Sequence, residues 1–269
     1  MENYRIVFSD LDGTLLCSSH ELTERTRQAV RGLTAAGVGF VPASSRMPSG
    51  IYPFCADLGI ACPIIAYGGA LALDANGARL YEAALTDFEA QEILLYLNRS
   101  YPELCCCLYS ENSWLAQRPA DPWIQLEREI TGLTPRPLAD SDRIPCWHKV
   151  MCMGEAELIA RVCRETRERF PNVSVFPSKD TFLEIQSPQA SKASALRAVC
   201  RAYGIDPAQT VAFGDHENDA AMLEAAGLAV AMGNATPGLK RLAARIAPDN
   251  DQDGVAAVLA ELFSLKLEE

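Results

Sequence analysis

The stretch Arg5-Ile6-Val7-Phe8-Ser9-Asp10-Leu11-Asp12-Gly13-Thr14 joins a short apolar segment to a pair of carboxylates. The segment from Arg5 to Phe8 is apolar and bounded by polar residues, which predicts a buried strand of a parallel sheet. In open α/β sheets, ligands bind beyond the carboxyl ends of the strands, where Asp10 and Asp12 follow. Gly13 lets the chain turn sharply there. The alternative is an ordinary surface turn rich in Asp and Gly.

The same alternation of strand and helix continues on both sides of a central region. Apolar runs predict further strands, and amphipathic stretches that end before a glycine predict helices with a left-handed stop. The strands are Val38 to Val41, Ile64 to Tyr67, Val211 to Phe213 and Leu228 to Ala231; the helices are Thr23 to Ala36 before Gly37, Ser191 to Tyr203 before Gly204, and Asn218 to Ala226 before Gly227. This pattern predicts an α/β fold, a Rossmann-like open parallel sheet with helices on both faces.

The pattern changes after the turn signal Asp74-Ala75-Asn76-Gly77. The central region predicts two αββ units, and the stretch from Thr131 to Pro137 predicts a loop. The elements are helices Asp87 to Asn98, Trp123 to Ile130 and Glu155 to Phe170, strands Leu104 to Tyr109, Ser113 to Gln117 and Trp147 to Met153, and a hairpin of Val173 to Phe176 with Phe182 to Ile185. We therefore expect an inserted α+β cap domain at 83–187 and a catalytic core formed by 1–82 and 188–269.

Composition and charge exclude several classes of protein. Of 269 residues, 49% are hydrophobic and 22% charged, which is typical of a globular chain and not of a disordered one. The net charge of −11 makes a non-specific nucleic-acid or anionic-membrane binder improbable, because both partners are polyanions. The sequence contains no run of ~18 apolar residues, so we expect no transmembrane helix. The first residues lack the features of a signal peptide. We expect a cytoplasmic protein, either a monomer or a homodimer.

The ten cysteines contain no C-x-x-C pair, and Cys105, Cys106 and Cys107 are contiguous. Adjacent residues of a strand point to opposite faces, which suits neither a zinc site nor an ordered set of disulfides. Reduced thiols that serve as small apolar side chains fit better. If these three cysteines lie on an edge strand, that strand is a candidate for pairing between two copies of the chain.

A second acidic cluster, Gly214-Asp215-His216-Glu217-Asn218-Asp219, follows the strand Val211 to Phe213. Carboxylates that converge from two strand ends repel each other unless a cation lies between them, and oxygen ligands favour Mg²⁺. The alternative is structural: Asp215 or Asn218 could cap the helix that follows. Both interpretations can hold together.

Two further positions fit an anion site. Ala43-Ser44-Ser45-Arg46 follows a strand, and a hydroxyl with backbone N–H groups at a strand end can hold phosphate oxygens. Lys192 stands at the start of a helix, where its positive charge interacts unfavourably with the helix dipole. An anion bound nearby would explain a lysine at this position. A solvated surface lysine is the alternative for Lys192.

In order along the chain, these four motifs resemble the haloacid dehalogenase-like superfamily. The position of the insert, after Ala66-Tyr67-Gly68-Gly69-Ala70, is similar to that of the Cof-type, subclass IIB sugar phosphatases, as are Ala231-Met232-Gly233-Asn234-Ala235 and Asp253-Gly254-Val255. The resemblance covers both core segments by motif and the insert only by position and approximate pattern. It implies a Mg²⁺-dependent phosphatase whose mobile cap closes over the site.

The resemblance also implies a role for each residue. Asp10 would be the nucleophile that forms an aspartyl-phosphate, and Asp12 would be the general acid and then the base. Metal ligands would be Asp10, the carbonyl of Asp12, and Asp215. The phosphoryl group would be held by Ser44, Lys192, Asn218 and backbone N–H groups near Leu11 and Ser45, and Asp219 would orient Lys192 or a metal-bound water.

Acid catalysis by Asp12 requires that its pKa lie above that of Asp10, since Asp12 must carry a proton when the ester oxygen leaves. Three positions depart from the family pattern or stay open. Ser44 and Ser45 replace the commoner Thr and Gly. His216 is either a histidine at the pocket rim or a substrate contact. Arg46 either binds a second anionic group of the substrate or pairs with an acidic neighbour.

We expect the substrates to be small phosphorylated metabolites, sugar phosphates first and cofactor-type phosphates such as pyridoxal or flavin phosphate second. A phosphomutase is the alternative within enzymes, and a non-catalytic phosphometabolite-binding module is the alternative outside them. The segment Asp249-Asn250-Asp251-Gln252-Asp253-Gly254 matches half of an EF-hand loop, but its bidentate Glu should fall at position 260, which is Ala. We therefore do not assign calcium binding. His20 and His148 show no metal-ligand spacing.

Overall fold

The computed structural model describes residues 4–139 and 144–267. The outer ends of the predicted core segments, at residues 1–3 and 268–269, and residues 140–143 of the predicted insert lie outside them. The chain divides into two compact units: a core unit that runs up to Glu82 and resumes at Ser191, and an inserted unit, Ala83–Ala190. No helix among the described residues is both long and apolar enough to cross a membrane.

The strands of the described residues are numbered in chain order. They are β1 (Ile6–Asp10), β2 (Gly39–Ala43), β3 (Ile64–Ala66), β4 (Leu71–Leu73), β5 (Arg79–Glu82), β6 (Leu85–Thr86), β7 (Cys105–Ser110), β8 (Ser113–Ala116), β9 (Arg136–Pro137), β10 (Cys146–Trp147), β11 (Lys149–Met153), β12 (Ser174–Lys179), β13 (Phe182–Gln186), β14 (Thr210–Gly214), β15 (Leu228–Ala231) and β16 (Arg245–Ile246).

The α-helices are numbered in the same way. They are α1 (Glu24–Ala35), α2 (Tyr52–Leu58), α3 (Asp87–Ser100), α4 (Pro122–Thr131), α5 (Ala156–Arg169), α6 (Lys192–Tyr203), α7 (Ala220–Ala225), α8 (Pro237–Leu242) and α9 (Gly254–Phe263). Short 3-10 turns include Tyr67–Gly69 and Glu217–Asp219.

The core unit contains an eight-stranded sheet in the order β16-β15-β14-β1-β2-β3-β4-β5. Its first six strands are parallel, and β1 lies between β14 and β2. Every residue of β1 is buried, as expected for the centre of such a sheet. Sequence pattern does not predict the antiparallel hairpin of β4 and β5. The two strands have only three and four residues, which is too short for an alternating pattern to stand out. The α/β class with an open parallel sheet is confirmed.

Helix ends in the core unit follow the expected local chemistry at most positions. Thr23 and Ser191 accept hydrogen bonds from backbone N–H groups in the first turns of α1 and α6. Gly37 (φ +82°) and Gly204 (φ +61°) adopt the left-handed conformation that we predict. The prediction for Gly227 is wrong, since the described residues with positive φ do not include it. A side chain there would meet the carbonyl oxygen of Ala208 at 2.0 Å, so close backbone contact requires this glycine.

The inserted unit contains a six-stranded sheet in the order β12-β13-β11-β7-β8-β9. Side chains from α3, α5 and one face of this sheet, such as Leu97, Leu108 and Val162, form its apolar core. The predicted loop between Thr131 and Pro137 is partly wrong, because Arg136 and Pro137 pair with β8 as β9. Sequence pattern cannot reveal a two-residue strand.

The three contiguous cysteines lie in β7, between β11 and β8. The edge-strand hypothesis is therefore wrong, and with it the hint of pairing between chains. All ten cysteines are free thiols, and eight of them are buried. Burial raises the pKa of the Cys105 thiol to about 12, so this group stays protonated and apolar. The eight buried cysteines thus act as small core side chains.

Candidate active site

The acidic clusters meet where three neighbouring strands of the core sheet end. Asp10 is the last residue of β1, Gly214 the last of β14, and Ala43 the last of β2. The chain passes from β1 towards β2 on one side and returns through β14 on the other, which makes β1 the point where the strand order reverses. Crevices for ligands form at such points in open α/β sheets.

Lys192 is buried at the centre of this crevice, with 1% of its surface exposed. Its Nζ donates to Asp10 and, over 2.5 Å, to Oδ1 of Asp219. The surface-lysine alternative is therefore wrong. Close backbone packing sets the start of α6, because a Cβ on Gly69 would lie 2.1 Å from the carbonyl carbon of Ser191. Gly69 and the cap by Ser191 thus bring Lys192 to the carboxylates.

Asp219 holds the loop after β14 as well as the lysine. Its Oδ2 accepts hydrogen bonds from the backbone N–H groups of Asp215 and His216, each at 3.1 Å. Gly214 makes room for it, since a Cβ there would lie 2.5 Å from the Cβ of Asp219. Neither Asp215 nor Asn218 caps the following helix, whose N-cap position is Asp219. The helix-cap alternative for those two residues is wrong.

Asp215 reaches the turn that follows β1. Its Oδ1 accepts a hydrogen bond of 2.8 Å from the hydroxyl of Thr14. Gly13 (φ +81°) lies against the same carboxylate, and a Cβ at this position would approach Oδ2 of Asp215 to 2.5 Å. Both the backbone conformation and the contact therefore require glycine at position 13.

Carboxylate oxygens of Asp10, Asp215 and Asp219 lie within 4.8 Å of one another. All three ligand atoms are hard oxygens, which suits Mg²⁺ or a similar divalent cation and not a thiophilic metal. Burial raises the pKa of Asp10 and of Asp215, and the neighbouring carboxylates add to this effect. Despite its burial, the pKa of Lys192 is raised by the charges of Asp10 and Asp219. The cluster thus has the composition of a divalent metal site.

The Asp12 side chain lies outside this acidic group. Its carboxylate accepts hydrogen bonds from Nε of Arg46 (2.8 Å) and from the Arg46 terminal nitrogen (2.5 Å), and Nδ1 of His20 lies 3.1 Å from Oδ1. Arg46 therefore pairs with an acidic neighbour, one of our two alternatives. Although burial acts to raise it, the pKa of Asp12 is lowered by Arg46 and His20. The order of pKa values that we expected for Asp10 and Asp12 is reversed.

The remaining predicted residues surround the same strand ends. The hydroxyl of Ser44 is buried and accepts the backbone N–H of Arg46 at 3.1 Å. Ser45 is half-buried, and the Leu11 side chain is fully buried, so only the backbone of Leu11 could serve a ligand. Asn218 and His216 are exposed. Their roles in binding stay predictions.

Three contacts of the site escaped sequence analysis. Thr14 stands inside the first motif, so its hydroxyl was available as a signal. Asn234 donates to the carbonyl oxygen of Gly13 over 2.8 Å. It lies in the stretch Ala231 to Ala235, which contributes to the family resemblance but predicts no contact by itself. His20 gave no signal, because nothing in its spacing relates it to Asp12.

Comparison with known proteins decides the family. A model of the haloacid dehalogenase-like hydrolases matches residues 7–259. The chain belongs to the haloacid dehalogenase-like hydrolase family. A Haemophilus influenzae protein provisionally named a phosphatase is 37% identical over 261 residues, which cover 97% of this chain and 98% of that protein.

Solved structures agree with this assignment. A haloacid dehalogenase-like hydrolase from Bacteroides thetaiotaomicron superposes with a TM-score of 0.89 at 29% identity, over 97% of this chain and 100% of that one. A subclass IIB sugar phosphatase of the same superfamily has the same fold, with a TM-score of 0.82 at 20% identity over 97% and 100% of the two chains. The Cof-type resemblance is confirmed. With relatives that are named phosphatases, this hydrolase is a phosphoric monoester hydrolase. Its acidic cluster can bind the divalent metal that such hydrolases generally use.

Proposed function

We propose that the chain is a Mg²⁺-dependent phosphatase that hydrolyses small phosphorylated metabolites through an aspartyl-phosphate. The observation that carries this proposal is the buried cluster in which Lys192 bonds Asp10 and Asp219 beside Asp215. A phosphate ester is anionic and repels a carboxylate nucleophile. The clustered carboxylates also repel one another, so both the ester and the cluster need nearby positive charge. The cluster therefore combines a carboxylate nucleophile with the charge that would let a phosphate ester approach it.

Asp10 is the nucleophile in this proposal. One of its carboxylate oxygens attacks phosphorus, the bond to the ester oxygen breaks, and the alcohol leaves with a proton from Asp12. Water then attacks the aspartyl-phosphate and gives a proton back to Asp12, which releases phosphate and restores Asp10. Two easier displacements thus replace one difficult displacement.

Lys192 contributes the positive charge that this chain itself supplies. Its Nζ neutralises part of the Asp10 charge, and in this proposal it also contacts the phosphoryl oxygens of the bound ester. The hydrogen bond from Lys192 to Asp219 fixes the direction of its side chain, which supports an orienting role for Asp219. Ser44, Asn218 and the backbone N–H groups near Leu11 and Ser45 would complete the phosphoryl site.

Asp10, Asp215 and the carbonyl oxygen of Asp12 would hold Mg²⁺, and Asp219 lies in the same group of carboxylates. When bound, the ion would keep these carboxylates ionised and take up charge from the phosphoryl group.

Asp12 is charged in the arrangement that the structure shows, because Arg46 binds both of its oxygens. That form suits its proposed role as the base for water. To act as an acid, Asp12 must first gain a proton, which requires that Arg46 release one oxygen. Exchange of the Arg46 hydrogen bonds during turnover is therefore part of the proposal.

Sugar phosphates are the substrates that we consider first, and cofactor-type phosphates second. A phosphomutase would use the same aspartyl-phosphate but return the phosphoryl group to the sugar. The non-catalytic module is disfavoured, since both Asp10 and Asp12 are present. We propose a monomer or homodimer that acts in the cytoplasm.

The test is release of inorganic phosphate from a panel of phosphometabolites, with Mg²⁺ and with EDTA, by the wild type and by Asp10→Asn. We expect Mg²⁺-dependent phosphate release by the wild type alone. Product analysis with a hexose phosphate separates the alternatives: a new sugar-phosphate isomer without free phosphate would show a mutase. Binding of the esters without any conversion would overturn catalysis.

A further inference from the structure

His20 adopts a backbone conformation that packing does not explain. Its φ of +60° lies in the left-handed region, which residues with a Cβ rarely adopt. The side chain is 68% exposed, so no apolar burial offsets that cost. The contact that this conformation does provide is polar: Nδ1 lies 3.1 Å from Oδ1 of Asp12. Unusual backbone geometry of this kind concentrates at functional sites.

The turn that carries His20 is closed by its own backbone. The N–H of His20 donates to the carbonyl of Cys17 over 2.8 Å, and the N–H of Cys17 donates to the carbonyl of Glu21 over 3.0 Å. These two bonds fix the direction in which the imidazole leaves the turn. The contact of Nδ1 with Asp12 then completes the placement of the ring.

A distant segment of the core unit ties this turn down. Asp251 accepts from both the backbone N–H and the hydroxyl of Ser18, each over 2.7 Å. Next to it, Asn250 donates to the carbonyl of Leu16 over 3.0 Å, and Asp253 accepts from the hydroxyl of Thr23. The side chains of the segment that matches half of an EF-hand loop therefore bind the turn that carries His20 and the residues on either side of it.

Arg46 reaches the same carboxylate from another part of the sheet edge. It occupies both oxygens of Asp12, and its guanidinium lies 5.2 Å from the centre of the Phe54 ring. Arg46 follows β2, whereas His20 depends on the segment 250–253. His20 and Arg46, which are held by different parts of the chain, therefore both contact the Asp12 carboxylate. When Arg46 releases an oxygen of Asp12, the contact with His20 would remain.

We propose that His20 is a positioning residue that holds the Asp12 carboxylate in line for proton transfer, and that Asp251 holds His20 in place. This inference rests on the proposed acid–base role of Asp12. In this assignment His20 contacts neither the phosphoryl group nor a metal-ligating atom, because it meets Asp12 at the carboxylate and not at the carbonyl oxygen. It acts through Asp12 alone, so its removal should weaken only the steps in which a proton moves.

The experiment varies the leaving group of the ester. Release of an alkyl alcohol needs a proton from Asp12, whereas 4-nitrophenolate leaves without one. We compare kcat/KM for 4-nitrophenyl phosphate with kcat/KM for the alkyl phosphate that the wild type hydrolyses best. For His20→Gly, which tolerates positive φ, we expect a loss of about tenfold on the alkyl ester, a fraction of what acid catalysis supplies, and a much smaller loss on the aryl ester.

Two variants separate positioning from a merely structural role. His20→Asn also tolerates positive φ and keeps a side-chain donor, so we expect it to restore the alkyl ester rate to within about threefold of the wild type. Ser19→Ala is the matched control, because Ser19 lies in the same turn but contacts neither Asp12 nor Asp251 in the described structure. We expect wild-type rates for it on both esters.

Asp251→Ala tests the support of the turn. We expect kcat/KM to fall more for the alkyl ester than for the aryl ester, as in His20→Gly, but by a smaller factor. The melting temperature should stay close to that of the wild type. Equal losses on both esters by His20→Gly, or no loss at all, would overturn the inference while the phosphatase function stands. A wild type that releases no phosphate from any ester, with or without Mg²⁺, would instead overturn the proposed function.

Discussion

Two lysines are buried in the described part of the chain, and they differ in the charged groups around them. In the core unit, Lys192 bonds Asp10 and Asp219, and Asp215 belongs to the same cluster. In the inserted unit, Lys149 lies 3.3 Å from the carboxylate of Glu184 and 4.9 Å from the centre of the Tyr109 ring. Both lysines are buried, at 1% and 6% exposure.

The difference lies in the balance of charge. Lys149 and Glu184 pair one positive charge with one negative charge, and their attraction offsets part of the cost of burying them. Three carboxylates around one lysine leave two negative charges over if all are ionised (three minus one), and burial makes that excess costly. A surplus of buried charge indicates a place where a charged ligand binds, whereas a balanced pair fits a structural role. The following experiments test that distinction.

The largest expected difference concerns activity. Asp10→Asn should lower kcat by about a thousandfold or more, as removal of a catalytic nucleophile does, whereas Glu184→Gln should retain phosphate release within about tenfold of the wild type. Release of inorganic phosphate at saturating substrate measures both. A retained rate in Asp10→Asn, with its cluster intact, would show that buried charge surplus does not mark the reacting group.

Stability should separate the lysines next. Lys192→Met and Lys149→Met should each lower the free energy of unfolding by about 3–5 kcal/mol, since each leaves buried carboxylate charge unpaired. Adding Glu184→Leu to Lys149→Met should recover most of that loss, because it restores neutrality. Urea unfolding of the three variants measures this. No recovery in the double variant would contradict the description of Lys149 and Glu184 as a balanced pair.

A divalent cation should stabilise only the surplus cluster. At a Mg²⁺ concentration of 100 times the dissociation constant, the folded chain should gain about 2.7 kcal/mol. Asp215→Asn should lose most of this gain, and Glu184→Gln should keep it. Thermal unfolding with Mg²⁺ and with EDTA gives the answer without any substrate. A gain that survives Asp215→Asn would place the cation elsewhere.

The smallest effect belongs to a neutral donor in the core cluster. Thr14→Val removes the hydrogen bond to Asp215 and should cost about 1 kcal/mol of stability. Thr14→Ser keeps the hydroxyl and should cost less. Urea unfolding compares the two variants, and no loss of stability in Thr14→Val would show that the hydrogen bond to Asp215 does not stabilise the fold.

Much of the core unit could be predicted because its signals are local. The apolar runs around β1 and β14 predict buried strands, and the carboxylates at their ends predict a shared site. Strand ends alone place Asp10 and Asp215 on one edge of the sheet. The structure brings these two carboxylates together with Lys192 and Asp219.

The rest depends on partners that sequence does not show. The pairing of Arg46 with Asp12 joins two loops, and it lowers a pKa that we expected to be high. Gly227 looks like a helix stop, yet its reason is the backbone of Ala208, which a one-dimensional pattern cannot reveal. Likewise, β4 and β5 pair through a hairpin too short for periodicity to detect.

The interrupted core has a consequence for synthesis on the ribosome. β1 has β2 on one side soon after it emerges, but its other neighbour begins only at residue 210. At elongation rates of about 5–20 residues per second, one edge of β1 waits on the order of ten seconds or more with its N–H and C=O groups unpaired. Lys192 and its partner Asp10 are 182 residues apart. A nascent chain interrupted within the insert therefore carries Asp10 without the lysine that would neutralise it, and the acidic cluster is complete only after Asp219 has been added.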